Sequence, residues 1–282
     1  MLDHTFDRAD RLISPERVLT IVSRGHLEHA DVRRQLLTRP WGTVIVQPEN
    51  KDTGPGLLLP LAYLEARVPD AVVAVFPSDH FVVEKALFMG YVDFACRAVE
   101  RDVSQVVLLG VEPEGPEADY GYVVPEDGGR REASGLRRVA RFVEKPPRQL
   151  AELLIQQGAL WNTMVFVFHV GAFFSLVQRV APTLHAAFAE IRRAIGTPRE
   201  QAVVEDVYRR LAPTNLSRDV LELAAGTPWA SLVVAPMRGV VWSDWGCEDR
   251  IWQVLSQMGW RDRLRLGAGA PPEPPRPFVA VE

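Results

Sequence analysis

Residues 71–83, AVVAVFPSDHFVV, carry an apolar, β-branched run straight into Pro77-Ser78-Asp79-His80. A short run of that kind, closed by turn residues, reads as a buried strand. Asp79 then stands just past the carboxyl end of the strand, the edge at which open α/β sheets receive ligands. The plainer reading of Asp79 is a cap for the helix that follows, and that of His80 a packed or capping imidazole.

Working outward, Glu84–Arg101 places Leu87, Tyr91, Phe94, Ala95 and Ala98 at three- and four-residue spacings, which predicts a helix with one buried face. A second strand, Gln105–Gly110, follows it, so the unit reads as a right-handed strand–helix–strand crossover. Further strand-like runs fall at Val18–Ser23, Thr43–Gln47, Val139–Val143, Met164–Phe168 and Ser231–Ala235, and helices are expected at Gln149–Gln157, Ala172–Val180, Leu184–Ile195, Arg199–Leu211 and Glu248–Met258. The alternation predicts an α/β fold with a mixed, mostly parallel sheet covered by helices on both faces. One domain is expected over residues 1–266, followed by a Pro/Gly-rich tail, 267–282, that begins GAGAPPEPPRP.

The 282 residues include 32 Lys and Arg against 36 Asp and Glu, a net charge of −4, with 47% hydrophobic residues. That balance suits a soluble globular protein large enough to bury its own core. With no basic block, the electrostatic footprint for nucleic acid or an anionic membrane is missing. The opening MLDHTFDRADRL carries Asp3, Asp7 and Asp10 in place of a basic and then apolar leader. Cys96 and Cys247 are too few for a disulfide framework and read as ordinary packed thiols. These features together predict a cytoplasmic protein, and a homo-oligomer is compatible with them.

Four more segments could carry chemistry. In VVWSDWGC, residues 240–247, a short apolar run ends at Asp244, which is either a turn residue or a second carboxylate for the Asp79 edge. Should the fold bring the two together, they would make a Mg2+ site, since that ion takes one or two carboxylates plus substrate phosphate oxygens. RFVEKPP, residues 141–147, delivers Glu144 and Lys145 on opposite sides of a pleat, either as a solvated pair or as groups for a sugar hydroxyl and a phosphate. LWNTMVFVF, residues 160–168, embeds the Asn162 amide in apolar surroundings, where it must bond backbone or ligand. ADYGYVVPE, residues 118–126, sets Gly121 between two tyrosines, either as a β-bulge or as backbone kept bare for a ligand ring.

The order PSDH, YGY, FVEKP, WN followed by VF, and WSDWG resembles the sugar-phosphate nucleotidyltransferases, most closely the mannose-1-phosphate guanylyltransferases. QPENKDTGPGLLLPLAYL, residues 47–64, is similar to the family segment that opens a helix near the nucleotide base. The resemblance covers about residue 2 to about residue 258 and implies a Rossmann-like fold of the GT-A kind. It implies attack by a sugar 1-phosphate, here mannose 1-phosphate, on the α-phosphorus of a nucleoside triphosphate, here GTP, releasing pyrophosphate. By the same resemblance Asp79 and Asp244 would hold Mg2+, Lys145 would meet the sugar phosphate, and Gly121, Tyr122, Glu144 and Asn162 would bind the sugar. Asp79, Lys145 and Asp244 form the expected catalytic set.

The chain departs from the family pattern at four places. Ala118-Asp119 replaces Thr-Gly before YGY, Thr163-Met164 replaces a small pair after Asn162, and Lys51-Asp52 replaces Arg-Asn. The family's first strand and its glycine-rich triphosphate loop have no counterpart, as though roughly forty residues were absent ahead of Met1. The expectation is therefore a sugar-phosphate cleft with little turnover and an apolar groove where that strand would lie. The rival expectations are a non-catalytic sugar-phosphate- or nucleotide-binding homologue or partner subunit, and a sugar transferase with an acidic metal motif.

Overall fold

The computed structural model describes residues 1–126, 135–246 and 248–257. The tail at 267–282 and Cys247 lie outside the described residues. Ten α-helices are found among the described residues: α1 Leu2–Ala9, α2 Ala30–Leu36, α3 Thr53–Arg67, α4 Lys85–Arg101, α5 Arg148–Gln156, α6 Val170–Val180, α7 Pro182–Ala194, α8 Glu200–Arg210, α9 Glu222–Ala224 and α10 Glu248–Gln257. The strands are β1 Thr20–Ser23, β2 Val44–Gln47, β3 Val72–Val75, β4 Phe81–Val82, β5 Gln105–Val111, β6 Tyr122–Pro125, β7 Arg137–Val143, β8 Leu160–His169, β9 Ser231–Met237 and β10 Trp242–Ser243. No helix among the described residues is long and apolar enough to cross a membrane.

Six strands form one sheet in the order β3-β8-β5-β9-β7-β6. β8 runs antiparallel to β3, β5 and β6, and β9 runs parallel to β5, so β3, β5, β6 and β9 share a direction that β7 and β8 oppose. One edge of β8 is divided: Phe166–His169 pair with β3, while Leu160 and Trp161 pair with β6.

Alternation along the central strands sorts two cores. Val106, Leu108, Phe166, Phe168, Leu232 and Val234 face one way, packing with α3, α6, α7 and α8. Val107, Leu109, Val165, Val167, Val233 and Ala235 face the other way, against α4 and α5. Period-two side-chain direction thus explains why strands buried on both faces are apolar throughout. Every residue of β5 is buried.

Helix α4 corrects one expectation. Its buried face is Phe88, Met89, Val92, Ala95, Ala98 and Val99. Of the residues expected there, Ala95 and Ala98 are shared, whereas Leu87 is 45% exposed and lines a shallow surface groove with Tyr91 and Phe94. The two apolar stripes overlap in sequence, and contact with the sheet selects the one carrying Val92 and Val99.

β1 and β2 form a separate parallel pair. Ile21 and Ile45 pack on the same core face as Val73 and Val75, yet no ladder joins β1–β2 to the six-stranded sheet. β3 ends that sheet and is only half buried along its length.

Candidate functional site

The PSDH turn is held from below by α1. The Thr5 hydroxyl is placed to donate to the backbone oxygens of Pro77 and Ser78, each at 3.4 Å, and Arg8 Nη1 donates to the His80 oxygen at 3.2 Å. The Arg8 guanidinium also lies 5.3 Å from the Phe88 ring centre and is buried. Burial without a paired carboxylate lowers its pKa to about 10.

β4 and β10 pair antiparallel, Phe81 opposite Ser243 and Val82 opposite Trp242. Continuing that register sets Asp244 opposite His80, so the PSDH and WSDWG turns meet. Phe81 stacks on Trp245 with ring centres 4.5 Å apart, and His80 meets Trp242 edge-on at 5.1 Å. Trp242 Nε1 donates to His80 Nδ1, which leaves the imidazole proton on Nε2. Burial pushes the His80 pKa down to about 4, against the opposing pull of Asp79 and Asp244.

Asp79 is not a helix cap: β4 intervenes, and the residue before α4 is Glu84. Its side chain is 73% exposed, with one oxygen 3.7 Å from His80 Nε2. Asp244 is differently placed. Its Oδ1 accepts from the Tyr120 hydroxyl at 2.9 Å, from the Gly246 amide at 3.0 Å and from Arg250 Nη1 at 3.0 Å, and Oδ2 also accepts from Arg250 Nη1. Arg250 Nη2 reaches Asp119 Oδ2 at 3.0 Å.

This donor set does not fit the Mg2+ expected on Asp79 and Asp244. An ion must bond carboxylate oxygens at about 2.0–2.1 Å, and the guanidinium already fills the approach to both oxygens of Asp244. Among the described residues no group of three or more His, Cys, Asp or Glu side chains is arranged to share an ion.

The sugar-binding expectations meet at a second point. A Cβ on Gly121 would lie 2.6 Å from Glu144 Oε2, 3.2 Å from Phe142 Cζ and 3.4 Å from Asn162 Cβ. The Asn162 amide N–H donates to the Gly121 oxygen at 2.8 Å, and the Asn162 side-chain oxygen accepts from the Met164 N–H. The Asn162 side-chain NH2 has no hydrogen-bond partner among the described residues. Burial raises the Glu144 pKa; the Lys145 charge and the nearby Ser217 hydroxyl pull the other way. The bulge in β6 lies at Val124 and Pro125, so Gly121 is bare because three side chains converge on it.

Two expectations are corrected here. Tyr122 is wholly buried in the α4-side core, and its hydroxyl exchanges hydrogen bonds with the Glu117 backbone, so it is not open to a ligand. Its neighbour Tyr120 reaches Asp244 instead. Lys145 and Glu144 do not lie on opposite sides of a pleat: β7 ends at Val143, Lys145 has φ 48°, and its charge acts on Glu144. The Lys145 side chain is exposed, and its backbone N–H donates to the Tyr120 oxygen at 3.2 Å.

Among the described residues the non-glycine residues with positive φ, Asp52, Lys145, Met164 and Trp245, fall in the segments singled out from sequence. Such strain persists where surrounding structure holds it, and it gathers at functional sites. At Asp52 the surroundings are visible: Thr214 N–H donates to the Lys51 oxygen, Gly54 N–H to the Thr214 oxygen, and Leu216 N–H to the Thr53 hydroxyl. Tyr120, Arg250 and the α1 pair Thr5 and Arg8 were not foreseen. The one signal for Arg250 was Asp119, an additional carboxylate that needs a cation nearby.

A mixed six-stranded sheet with helices on both faces defines the class, an α/β protein. The chain matches the family model described as Nucleotidyl transferase over residues 1–259 and belongs to that family. It is similar to the mannose-1-phosphate guanylyltransferase of Klebsiella pneumoniae, 26% identical over 90% of this chain and 52% of the relative. It is also similar to the Escherichia coli protein of that name, 25% identical over 92% of this chain and 54% of the relative. The chain therefore spans about half the length of the curated relatives it matches. In structure it is similar to mannose-1-phosphate geranyltransferase from Thermus thermophilus, with a TM-score of 0.74, 27% identity, and coverage of 92% of this chain and 68% of that one.

Proposed function

We propose that this chain provides the sugar-phosphate cleft of a nucleotidyl transfer in which mannose 1-phosphate and GTP are the substrates. A phosphate oxygen of the sugar 1-phosphate forms a bond to the α-phosphorus. The bond from that phosphorus to the bridging oxygen breaks, and pyrophosphate leaves with the electron pair. Positioning and charge placement supply catalysis in such a displacement.

The observation that carries this reading is the convergence of Gly121, Glu144 and Asn162, where a Cβ on Gly121 would fall 2.6 Å from Glu144 Oε2 and the Asn162 NH2 group makes no hydrogen bond among the described residues. A solvent-reached amide NH2 with no protein partner has both donors free for a ligand acceptor. Glu144 would accept from a sugar hydroxyl, Gly121 would let the ring approach, and exposed Lys145 would meet the phosphate as a point charge. Asp79 is the open carboxylate of the opposite end. The names of the Klebsiella and Escherichia relatives support mannose 1-phosphate and a guanine nucleotide as the choice of substrates. A cytoplasmic setting belongs to the same reading, with Cys96 a free, partly buried thiol.

Calorimetric titration with mannose 1-phosphate, mannose and inorganic phosphate tests the reading, alongside pyrophosphate release with GTP. Saturable binding of the sugar phosphate is expected, and Lys145→Ala should weaken it about tenfold, the scale of one charge-assisted contact. Melting temperature should not move, because an exposed Lys contributes little to stability. Absence of both sugar-phosphate binding and pyrophosphate release would overturn the proposal. Binding without release would favour the second reading, a binding homologue, which the pairing of Asp244 with Arg250 already supports.

A further inference from the structure

The Asp244 end of the cleft holds three carboxylates, those of Asp79, Asp119 and Asp244, and one cation that touches two of them. The Arg250 side chain is 12% exposed, against 23% for Asp244 and 70% for Asp119. One guanidinium nitrogen contacts both oxygens of Asp244 at 3.0 Å and another contacts Asp119 at 3.0 Å. Its central carbon lies 4.7 Å from the centre of the Tyr120 ring, within cation–π range. The group is therefore gripped on three sides. An arginine keeps its charge at any ordinary pH and presents a fixed planar fork, so it holds two carboxylates more durably than a lysine would.

We propose that Arg250 is the resident cation of this edge: its guanidinium neutralises Asp244 and Asp119 and keeps a divalent ion off Asp244. The inference rests on reading this edge as the phosphate-facing end of the proposed cleft. A divalent ion bonded to Asp244 at about 2.0–2.1 Å would occupy space that the guanidinium fills. Asp119 explains why the arginine stays, since removing Arg250 would leave two carboxylates facing one another beside a third at Asp79. Fixing Asp244 also fixes what hangs from it. The Tyr120 hydroxyl donates to Asp244, and the Tyr120 oxygen accepts from the Lys145 N–H. Arg250 is thus a positioning residue, tied through Asp244 and Tyr120 to the turn that carries Glu144 and Lys145.

Mn2+ alone is the probe, because its binding is read by electron paramagnetic resonance without substrate or turnover. Failure of the function reading therefore leaves this measurement intact, and the reverse also holds. Only Mn2+ released by Asp244→Asn is counted. The full chain should show no such ion at millimolar Mn2+, whereas Arg250→Gln should gain one, at least about tenfold tighter than the unmodified chain. Arg250→Lys, which keeps a charge, should fall between them. Asp244-dependent Mn2+ binding by the unmodified chain would overturn the proposal, and that arm needs no variant of Arg250 to fold. So would equal Mn2+ affinity in the unmodified chain and in an Arg250→Gln protein that melts cooperatively.

Discussion

The two ends of the cleft differ in what their polar groups already hold. At the Asp244 end, carboxylate oxygens accept from Tyr120, Gly246 and Arg250, and the His80 imidazole accepts from Trp242. At the Gly121 end, the Asn162 NH2 group and the Lys145 ammonium make no hydrogen bond among the described residues, the Lys145 charge acts on Glu144, and Glu144 is half buried against a bare glycine. Polar groups that hold one another fix geometry, whereas an uncommitted donor and cation are free to meet a ligand. Under the proposed function the first end serves as a brace and the second as the receiving surface.

The largest expected effect tests the brace. His80 has its pKa lowered to about 4 by burial, from an ordinary value of 6.5. Between those values the unfolded chain binds the proton and the folded chain does not, so stability is full above about pH 6.5 and is lost as pH falls through about 4. At about 1.4 kcal/mol per pKa unit the loss is on the order of 3 kcal/mol. Urea denaturation at neutral pH and near pH 4.5 should show it, and His80→Gln should flatten the difference. Parallel acid losses in both proteins would mean that another group carries the effect.

Next in size is the close approach at Gly121. A methyl there would meet Glu144 Oε2 at 2.6 Å and Phe142 Cζ at 3.2 Å, and Phe142 is buried with no room to retreat. Gly121→Ala should cost about 1–3 kcal/mol, the usual range for overpacking. It should also weaken sugar-phosphate binding, because the carboxylate must turn away. Gly115→Ala is the matched control, since its added Cβ would meet nothing within 4 Å. Equal melting temperatures for the two variants would show that Glu144 swings freely and that the site is not preorganised.

How much of this was legible in sequence follows from which interactions are local. The apolar runs at Gln105–Gly110 and Ser231–Ala235 emerge as β5 and β9, because strands buried on both faces need no partner to look apolar, and Ala71–Phe76 emerges as the half-buried edge strand β3. β4 and β10 are two residues each and exist only by pairing with one another, so no periodicity announces them. Gly121, Glu144 and Asn162 stood out as polar or bare positions beside strands, and the fold gathers them. Tyr122 misled because both tyrosines of YGY lie on one face of the chain, and which hydroxyl reaches the cleft is settled by the turn at Glu117. Arg250 had no local signal: a single arginine at the start of a helix has no pattern, and its meaning comes from Asp119, which is 131 positions away.

The smallest effect sharpens the contrast by reversing its sign. Burial raises the Glu144 pKa above its ordinary 4.5, more than Lys145 and Ser217 lower it. Over the interval just above that ordinary value, the folded chain keeps a proton that the unfolded chain has released. Stability therefore falls as pH rises through the interval, opposite to the His80 dependence, and the ionised carboxylate carries the penalty at neutral pH. Glu144→Gln removes that penalty while keeping the shape of the group. The variant should be no less stable than the unmodified chain at pH 7, and less favoured relative to it at pH 4. Sugar-phosphate binding should weaken all the same, because a neutral amide accepts hydrogen bonds less strongly than a carboxylate. Stability and binding moving in opposite directions is what a receiving surface predicts. A Glu144→Gln protein that lost stability at pH 7 and kept its binding would make Glu144 part of the brace instead.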